Sequence, residues 1–120
     1  SLSKTYIRSC PYTKKESRQA AFELLSLPTP PTAIFAASDI QALSVMKVAR
    51  QLNIKIPDDL AIVGFDDIDV AEHVDLTTIC QYLDESGRLA AEILLSRIGE
   101  SSRPLQHINL PLKLIERLTT

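Results

Sequence analysis

The sequence predicts an α/β fold, a parallel sheet with helices on both faces, and three observations carry that prediction. Short runs that are apolar on both alternating faces, Thr32–Ala37 and Leu60–Phe65, suit strands covered on two sides. Stretches with helical apolar period alternate with those runs, which is the order of a parallel sheet with crossover helices. With 120 residues, 45% of them hydrophobic and 23% charged, the chain has the make-up of one globular domain. A chain of this size buries about two-thirds of its unfolded surface in one core.

Each element has its own local reason. Thr13 followed by Glu16 is a capping box ahead of Ala20, Ala21, Leu24 and Leu25, so an amphipathic helix begins there, and Pro28, Pro30 and Pro31 close it. The Thr32–Ala37 strand follows. Ser38 to Gln41 repeats the capping device, and Ala42, Val45, Met46, Ala49 and Leu52 carry a second helix to Asn53. Pro57, Asp58 and Asp59 separate it from the Leu60–Phe65 strand, which ends abruptly in Asp66 and Asp67. A weak helical turn lies near Val70 to His73, and Leu76–Gln81 reads as a further strand. Leu83, Gly87, Ala90, Ala91, Leu94 and Ile98 line a helix that Asp84 can cap and Gly99 can end. His107–Leu110 and Leu112–Arg117 are expected as two short strands around Pro111.

Charge and motif content narrow the function. Thirteen basic against fifteen acidic residues give a net charge of −2 without runs of one sign, unlike a surface that grips a phosphate backbone. Cys10 and Cys80 neighbour no second Cys or His and read as structural free thiols, so no metal site is expected and the cytoplasm is the expected compartment. No apolar stretch approaches the ~20 residues of a membrane span, and no basic-then-apolar leader opens the chain, so neither membrane nor export is expected. Only Gly64, Gly87 and Gly99 occur, and no phosphate loop can be drawn from them. His73 and His107 lack a nucleophile at local spacing.

Two enzyme-like patterns fail on their partners. Asp67-Ile68-Asp69 after an apolar strand has the spacing of haloacid-dehalogenase-type phosphatases, but the lysine and further carboxylates of that magnesium chemistry do not follow. A phosphorylatable receiver domain needs its acidic pair after the first strand, whereas here it comes after Phe65 and no lysine follows until Lys113. Catalysis and cofactors are therefore not expected.

Ligands of such sheets bind beyond the carboxyl ends of the strands. Those ends carry Tyr12, Ser38 and Asp39, and Asp66 and Asp67, with Gln81 and Leu83 after a fourth strand. A carboxylate such as Asp66 accepts hydrogen bonds from two neighbouring hydroxyls, and a ring such as Tyr12 stacks on an apolar face. That suits a polar small molecule held without turnover, although an Asp pair also caps turns by itself.

Pro31 to Asp39, then Ala42-Leu43, Ile56 to Asp67, Leu76 to Gln81 and Gly87 to Ala91 together resemble the C-terminal part of LacI/GalR transcriptional regulators. Leu110-Pro111 and Arg117 to Thr119 resemble that family's closing strand, so the likeness runs from about Tyr6 to the end. It implies a periplasmic-binding-protein-like effector module of two subdomains around a cleft, in a protein whose helix-turn-helix headpiece is not in this chain and through which alone it would meet DNA. Residues 1–82 and 112–120 would form the C-terminal subdomain, and 83–111 a segment that normally belongs to the N-terminal one. By the same resemblance Tyr12 stacks on the ligand, Ser38 and Asp39 lie at the cleft mouth, Asp66 grips hydroxyls, and Gln81 and Leu83 flank the crossing, with Asp67 a weaker candidate that holds the loop.

Departures from the family pattern are Ser38 for a frequent Asn, Leu83 for an aromatic, Ser17 for a Gly, and Cys10-Pro11 for Gly-Asp. A sugar or related metabolite is the family's commonest effector. A homodimer is expected through Ala42, Val45, Met46 and Ala49 with the loop Ile68 to Val74, Ile68 and Val70 in particular, and Ile40 and Leu43 extend apolar groups to the nominally wet side of that helix. The stripe of Leu83, Ala90, Leu94 and Ile98 is expected to fold back on the sheet or to pair with a second copy. A solute-binding receptor of a transport system shares the fold and is the alternative reading.

Overall fold

The computed structural model describes residues 3–100 and 102–120. A 3₁₀ turn at Lys4–Tyr6 precedes α1 (Lys14–Leu25), β1 (Ala33–Phe35), α2 (Asp39–Gln51), β2 (Ala61–Val63), α3 (Asp69–His73), β3 (Thr78–Cys80), α4 (Leu83–Gly99) and β4 (Lys113–Ile115). Both early helices start where their caps place them. The Thr13 hydroxyl accepts from the Glu16 amide, and the Ser38 hydroxyl accepts from the Gln41 amide at 3.3 Å, each satisfying a donor the first turn leaves unpaired.

β1 and β2 pair in parallel with Ile34 opposite Ile62. Parallel bridges Val63–Thr77 and Asp66–Cys80 continue that order to β3, and β4 then runs antiparallel, with Thr78 opposite Ile115. Thr119 is wedged between β2 and β3: its hydroxyl donates to the Ile62 carbonyl at 2.7 Å and accepts from the Thr77 amide at 2.9 Å. The C-terminal residues thereby join the two halves of the sheet.

The core lies on one face of β1 and β2. There Ile62, Leu60 and Leu76, all fully buried, meet Ala21 and Leu25 of α1, Ala42, Val45, Val48 and Ala49 of α2, and Ala71 of α3. Burying each of the large aliphatics contributes about 1.5–3 kcal/mol. Pleat alternation sends Ala33 and Phe35 to the opposite face, where both are exposed. The α/β class is thus as the sequence predicts, with α1 and α2 packed on each other and α2 on β2, while among the described residues that second face has no such cover.

Three expectations are corrected. His107–Leu110 forms no strand, because β3 has only the edge that Lys113–Ile115 occupies and the earlier residues find no ladder partner. Asp84 is not the cap of α4: the helix begins at Leu83 behind Tyr82, which stands in the left-handed region without a side-chain cap, and Asp84 lies in the first turn. Finally, the apolar stripe of α4 does not return to the sheet. No residue of α4 is buried, and Leu94 and Ile98 are 60% and 73% exposed. The radius of gyration, 18.1 Å, accordingly exceeds the ~14 Å of a compact chain of this length.

Candidate functional site

The carboxyl ends of the strands bring four segments side by side, and backbone bonds fix their order. The Ala36 amide donates to the Val63 carbonyl and the Asp39 amide to the Phe65 carbonyl, both at 2.8 Å, so the start of α2 lies against the end of β2. The Asp66 amide donates to the Ile79 carbonyl at 2.9 Å, which sets the loop after β2 against β3. On the other side, the Gln41 side chain donates through Nε2 to Cys10 Sγ at 3.7 Å and ties the segment before α1 to α2. Ser38, Asp66 and Gln81 therefore stand along one rim, while Tyr12 lies beside the start of α2 and lines a separate concavity from the one at Asp66.

Each side chain has a distinct environment. Tyr12 is two-thirds exposed and lines an open apolar concavity with Cys10, Ala37 and Gln41. Ser38 is buried and its hydroxyl caps α2. Asp39, fully buried, has both oxygens engaged within the fold: Oδ1 accepts from the Thr78 hydroxyl at 2.5 Å and Oδ2 from the Ile68 amide at 2.9 Å. The geometry gives Asp39 a task inside the protein and leaves it no oxygen for the cleft mouth.

Asp66 differs in every respect. It is half-buried, its Oδ1 accepts from Gln81 Nε2 at 2.5 Å, and among the described residues its Oδ2 has no hydrogen-bond partner. Asp67 points elsewhere, into an ion pair with Arg117 at 2.9 Å, while Arg117 Nη1 donates to the Leu76 carbonyl at 2.8 Å. Asp66 and Asp67 have φ of 113° and 56°, a region that side chains other than glycine enter at about 1–3 kcal/mol each when held there. Such a turn persists only where its surroundings over-determine it, and Gln81, Arg117 and Asp39 provide those contacts. Asp66 and Asp67 line a concavity of about 820 Å³ together with Ile68, Val70, Cys80 and the half-exposed Leu83.

The arrangement can accept hydrogen bonds at Asp66 beside the apolar surface of Leu83. Phe65 is fixed edge-to-face on Phe35, with ring centroids 6.3 Å apart. Among the described residues no group of His, Cys, Asp or Glu has metal-binding geometry, and no helix is long and apolar enough to cross a membrane. Arg117, Thr78 and Gly64 were not among the sequence candidates. The partners of the first two lie 50 and 39 positions away, and no local pattern signals such a pairing.

The family model for the periplasmic binding protein-like domain matches residues 3–120. The chain belongs to that family. Its relatives are LacI-family regulators, as the sequence resemblance implies. The HTH-type transcriptional repressor CytR of Escherichia coli K12 is 41% identical over 105 residues, which is 82% of this chain and 31% of that protein. The structure of a putative transcriptional regulator LacI from Bacillus cereus subsp. cytotoxis superposes with a TM-score of 0.93 at 30% identity, over all of this chain and 43% of that one. A LacI family regulator from Enterococcus faecium with bound ribose gives 0.83 at 32% identity, over 90% of this chain and 40% of that one. This chain therefore spans less than half the length of each of these regulators.

Within this periplasmic-binding-protein-like chain the expected dimer face needs correction. Ala42 and Ala49 are fully buried and Val45 is 6% exposed, all three inside the chain's own core. Groups already packed there have no surface to offer a second copy. Met46 is half-buried against the same core, Ile68 is half-buried, and Val70 is exposed. On α2 the apolar groups that remain partly in water are Ile40, Leu43 and Met46.

Proposed function

We propose that this chain is the effector-sensing portion of a LacI-type transcriptional regulator, a binding module without catalytic activity that works in the cytoplasm. The observation that carries the reading is Asp66, held by Gln81 on one oxygen with the other unpartnered, on the rim where the parallel strands end. A carboxylate so fixed selects a ligand with neighbouring hydroxyls, a sugar or related metabolite, through charge-assisted bonds. The exposed Tyr12 ring and Leu83 supply apolar contact on either side. Ser38 caps α2 through one lone pair of its oxygen and keeps its hydroxyl hydrogen to donate.

Residues 1–82 and 112–120 make up one lobe, and 83–111 belong to the other, which accords with an α4 that buries nothing in this chain. Ligand between the lobes favours one arrangement of them and so shifts the DNA-binding headpieces. The shift is only as large as the ligand's differential affinity for the two arrangements. DNA is met through that headpiece and not through this segment. Two copies meet through Ile40, Leu43 and Met46 with Ile68 and Val70.

The test reads the gene upstream of the codon for Ser1 and then uses its intact product. A helix-turn-helix there, together with ribose-dependent change in operator binding that Asp66→Ala abolishes, is the expected result. A signal peptide in that place refutes the regulator in favour of a transport receptor. For the dimer, Leu43→Arg shifts the mass in light scattering from dimer to monomer, and an unchanged mass refutes that face.

A further inference from the structure

The geometry points to Asp39 as a positioning residue that sets the ligand-gripping loop from beneath, through a buried latch to Thr78 and Ile68. This rests on the reading of Asp66 as the ligand's acceptor. Four observations carry it. Asp39 is fully buried at the first position of α2, yet its carboxylate does not serve its own helix: it bonds the Thr78 hydroxyl on β3 and the Ile68 amide just beyond Asp66 and Asp67. One side chain thereby fastens together α2, β3 and the loop between β2 and α3. The loop so held contains two consecutive residues at positive φ, a turn that relaxes unless both sides are pinned. Gly64 leaves the space: a Cβ there would overlap Asp39 Oδ1 and lie 3.3 Å from its Cγ, although φ at Gly64 is not positive and the backbone makes no demand for glycine.

The division of labour follows from which oxygens are taken. Gln81 fixes the Asp66 carboxylate and Arg117 fixes Asp67, but both hold the loop by its side chains. Asp39 holds it by the backbone at Ile68, and Asp39 is in turn fixed by Thr78. Loss of the latch therefore frees the direction in which Asp66 presents its unpartnered oxygen without removing any group from the rim.

The experiment compares Asp39→Asn, Thr78→Val, Thr78→Ser and Asp66→Ala in the intact protein that carries this chain. It measures ribose affinity by calorimetry and amide hydrogen exchange at Ile68 and at Ile62, whose amide is bonded to the Thr119 carbonyl in the core. Asp39→Asn cannot accept at both oxygens, and Thr78→Val removes the donor while keeping the shape. Both are expected to exchange the Ile68 amide at least tenfold faster and to weaken ribose binding about tenfold, with Ile62 protection unchanged. Thr78→Ser, which keeps the hydroxyl, is expected to restore both. Faster exchange at Ile68 with ribose affinity unchanged in Thr78→Val overturns the positioning role, and if Asp66→Ala still abolishes binding the site itself stands. An Ile68 amide unprotected in the parent protein overturns the latch directly. Ribose binding indifferent to Asp66→Ala overturns the site, and the positioning role with it.

Discussion

Gly64→Ala is the sharpest perturbation of the buried carboxylate, because two opposing effects of known size compete. At a position without positive φ, replacing glycine by alanine stabilises by about 0.4–1 kcal/mol through the unfolded chain. Against this, the added Cβ would overlap Asp39 Oδ1 and lie 3.0 Å from Leu76 Cδ2. The Leu76 methyl is the end of a flexible side chain and yields by a few tenths of an ångström. Asp39 cannot yield without losing its bond to Thr78, and a hydrogen bond to a buried charge contributes about 1.5–3 kcal/mol. The loss wins, leaving a net destabilisation of about 1.5 kcal/mol. In urea, with m of about 1–3 kcal/mol/M for a small protein, the midpoint falls by roughly 1 M at unchanged m. The decisive arm is the double-variant cycle with Asp39→Ala, where the obstructing oxygen is gone and Gly64→Ala should cost less than ~0.5 kcal/mol. An equal cost in both backgrounds refutes the argument, since the strain would then lie elsewhere.

Arg117→Met removes both guanidinium contacts, to Asp67 and to the Leu76 carbonyl, at a site where the paired side chains are 17% and 22% exposed; urea unfolding should show a loss of about 1–3 kcal/mol. Ile62→Ala deletes a fully buried side chain and should cost about 2–5 kcal/mol by the same assay. Leu94→Lys, on a helix that buries nothing, should stay within ±0.5 kcal/mol in this chain. On α4 the hydrogen bond from Arg88 lowers the Glu85 carboxyl below its usual range, so its support of the helix is complete above the ordinary carboxylate pKa and is lost as pH falls through the lowered one. Far-UV ellipticity should therefore drop on acidification, and Arg88→Gln should flatten that part of the titration.

The legible parts of this fold are those specified by neighbouring residues. Thr13 and Ser38 mark helix starts because a cap acts within three positions, and both helices begin one residue later. The strands shrink from six-residue apolar runs to three-residue ladders because pairing needs a partner of matching length, and β4 fixes its direction only by meeting β3. On α2 the sequence points to the stripe of Ala42, Val45 and Ala49 as an interface, yet helical period reports only that a face is covered. The covering surface is this chain's own β2 and α1. At the site, Asp66 and Gln81 could be singled out from strand ends, and they do meet. Asp39 and Asp67 share the same composition and position, but their roles depend on Thr78, Ile68 and Arg117, which are remote in sequence.

The uncovered surfaces and the site belong to one physical account. A parallel sheet is stable when both faces are covered, and here the face with Ala33 and Phe35 lies open while Leu94, Leu95 and Ile98 of α4 stand 60–73% in water. Each large aliphatic or aromatic group of this kind would gain about 1.5–3 kcal/mol on burial, so both surfaces leave favourable burial unrealised in this chain. The latch around Asp39 is the opposite case, with every polar atom of the carboxylate bonded and the carboxylate fully buried. Rigid support beneath the rim and unmatched apolar surface on α4, beyond it, are what a sensor requires if its ligand is to be felt as a change in how two lobes meet. If the Asp66 loop holds the ligand as proposed, it must not give way, because any yielding there would absorb the differential binding energy before it reached the lobe contact.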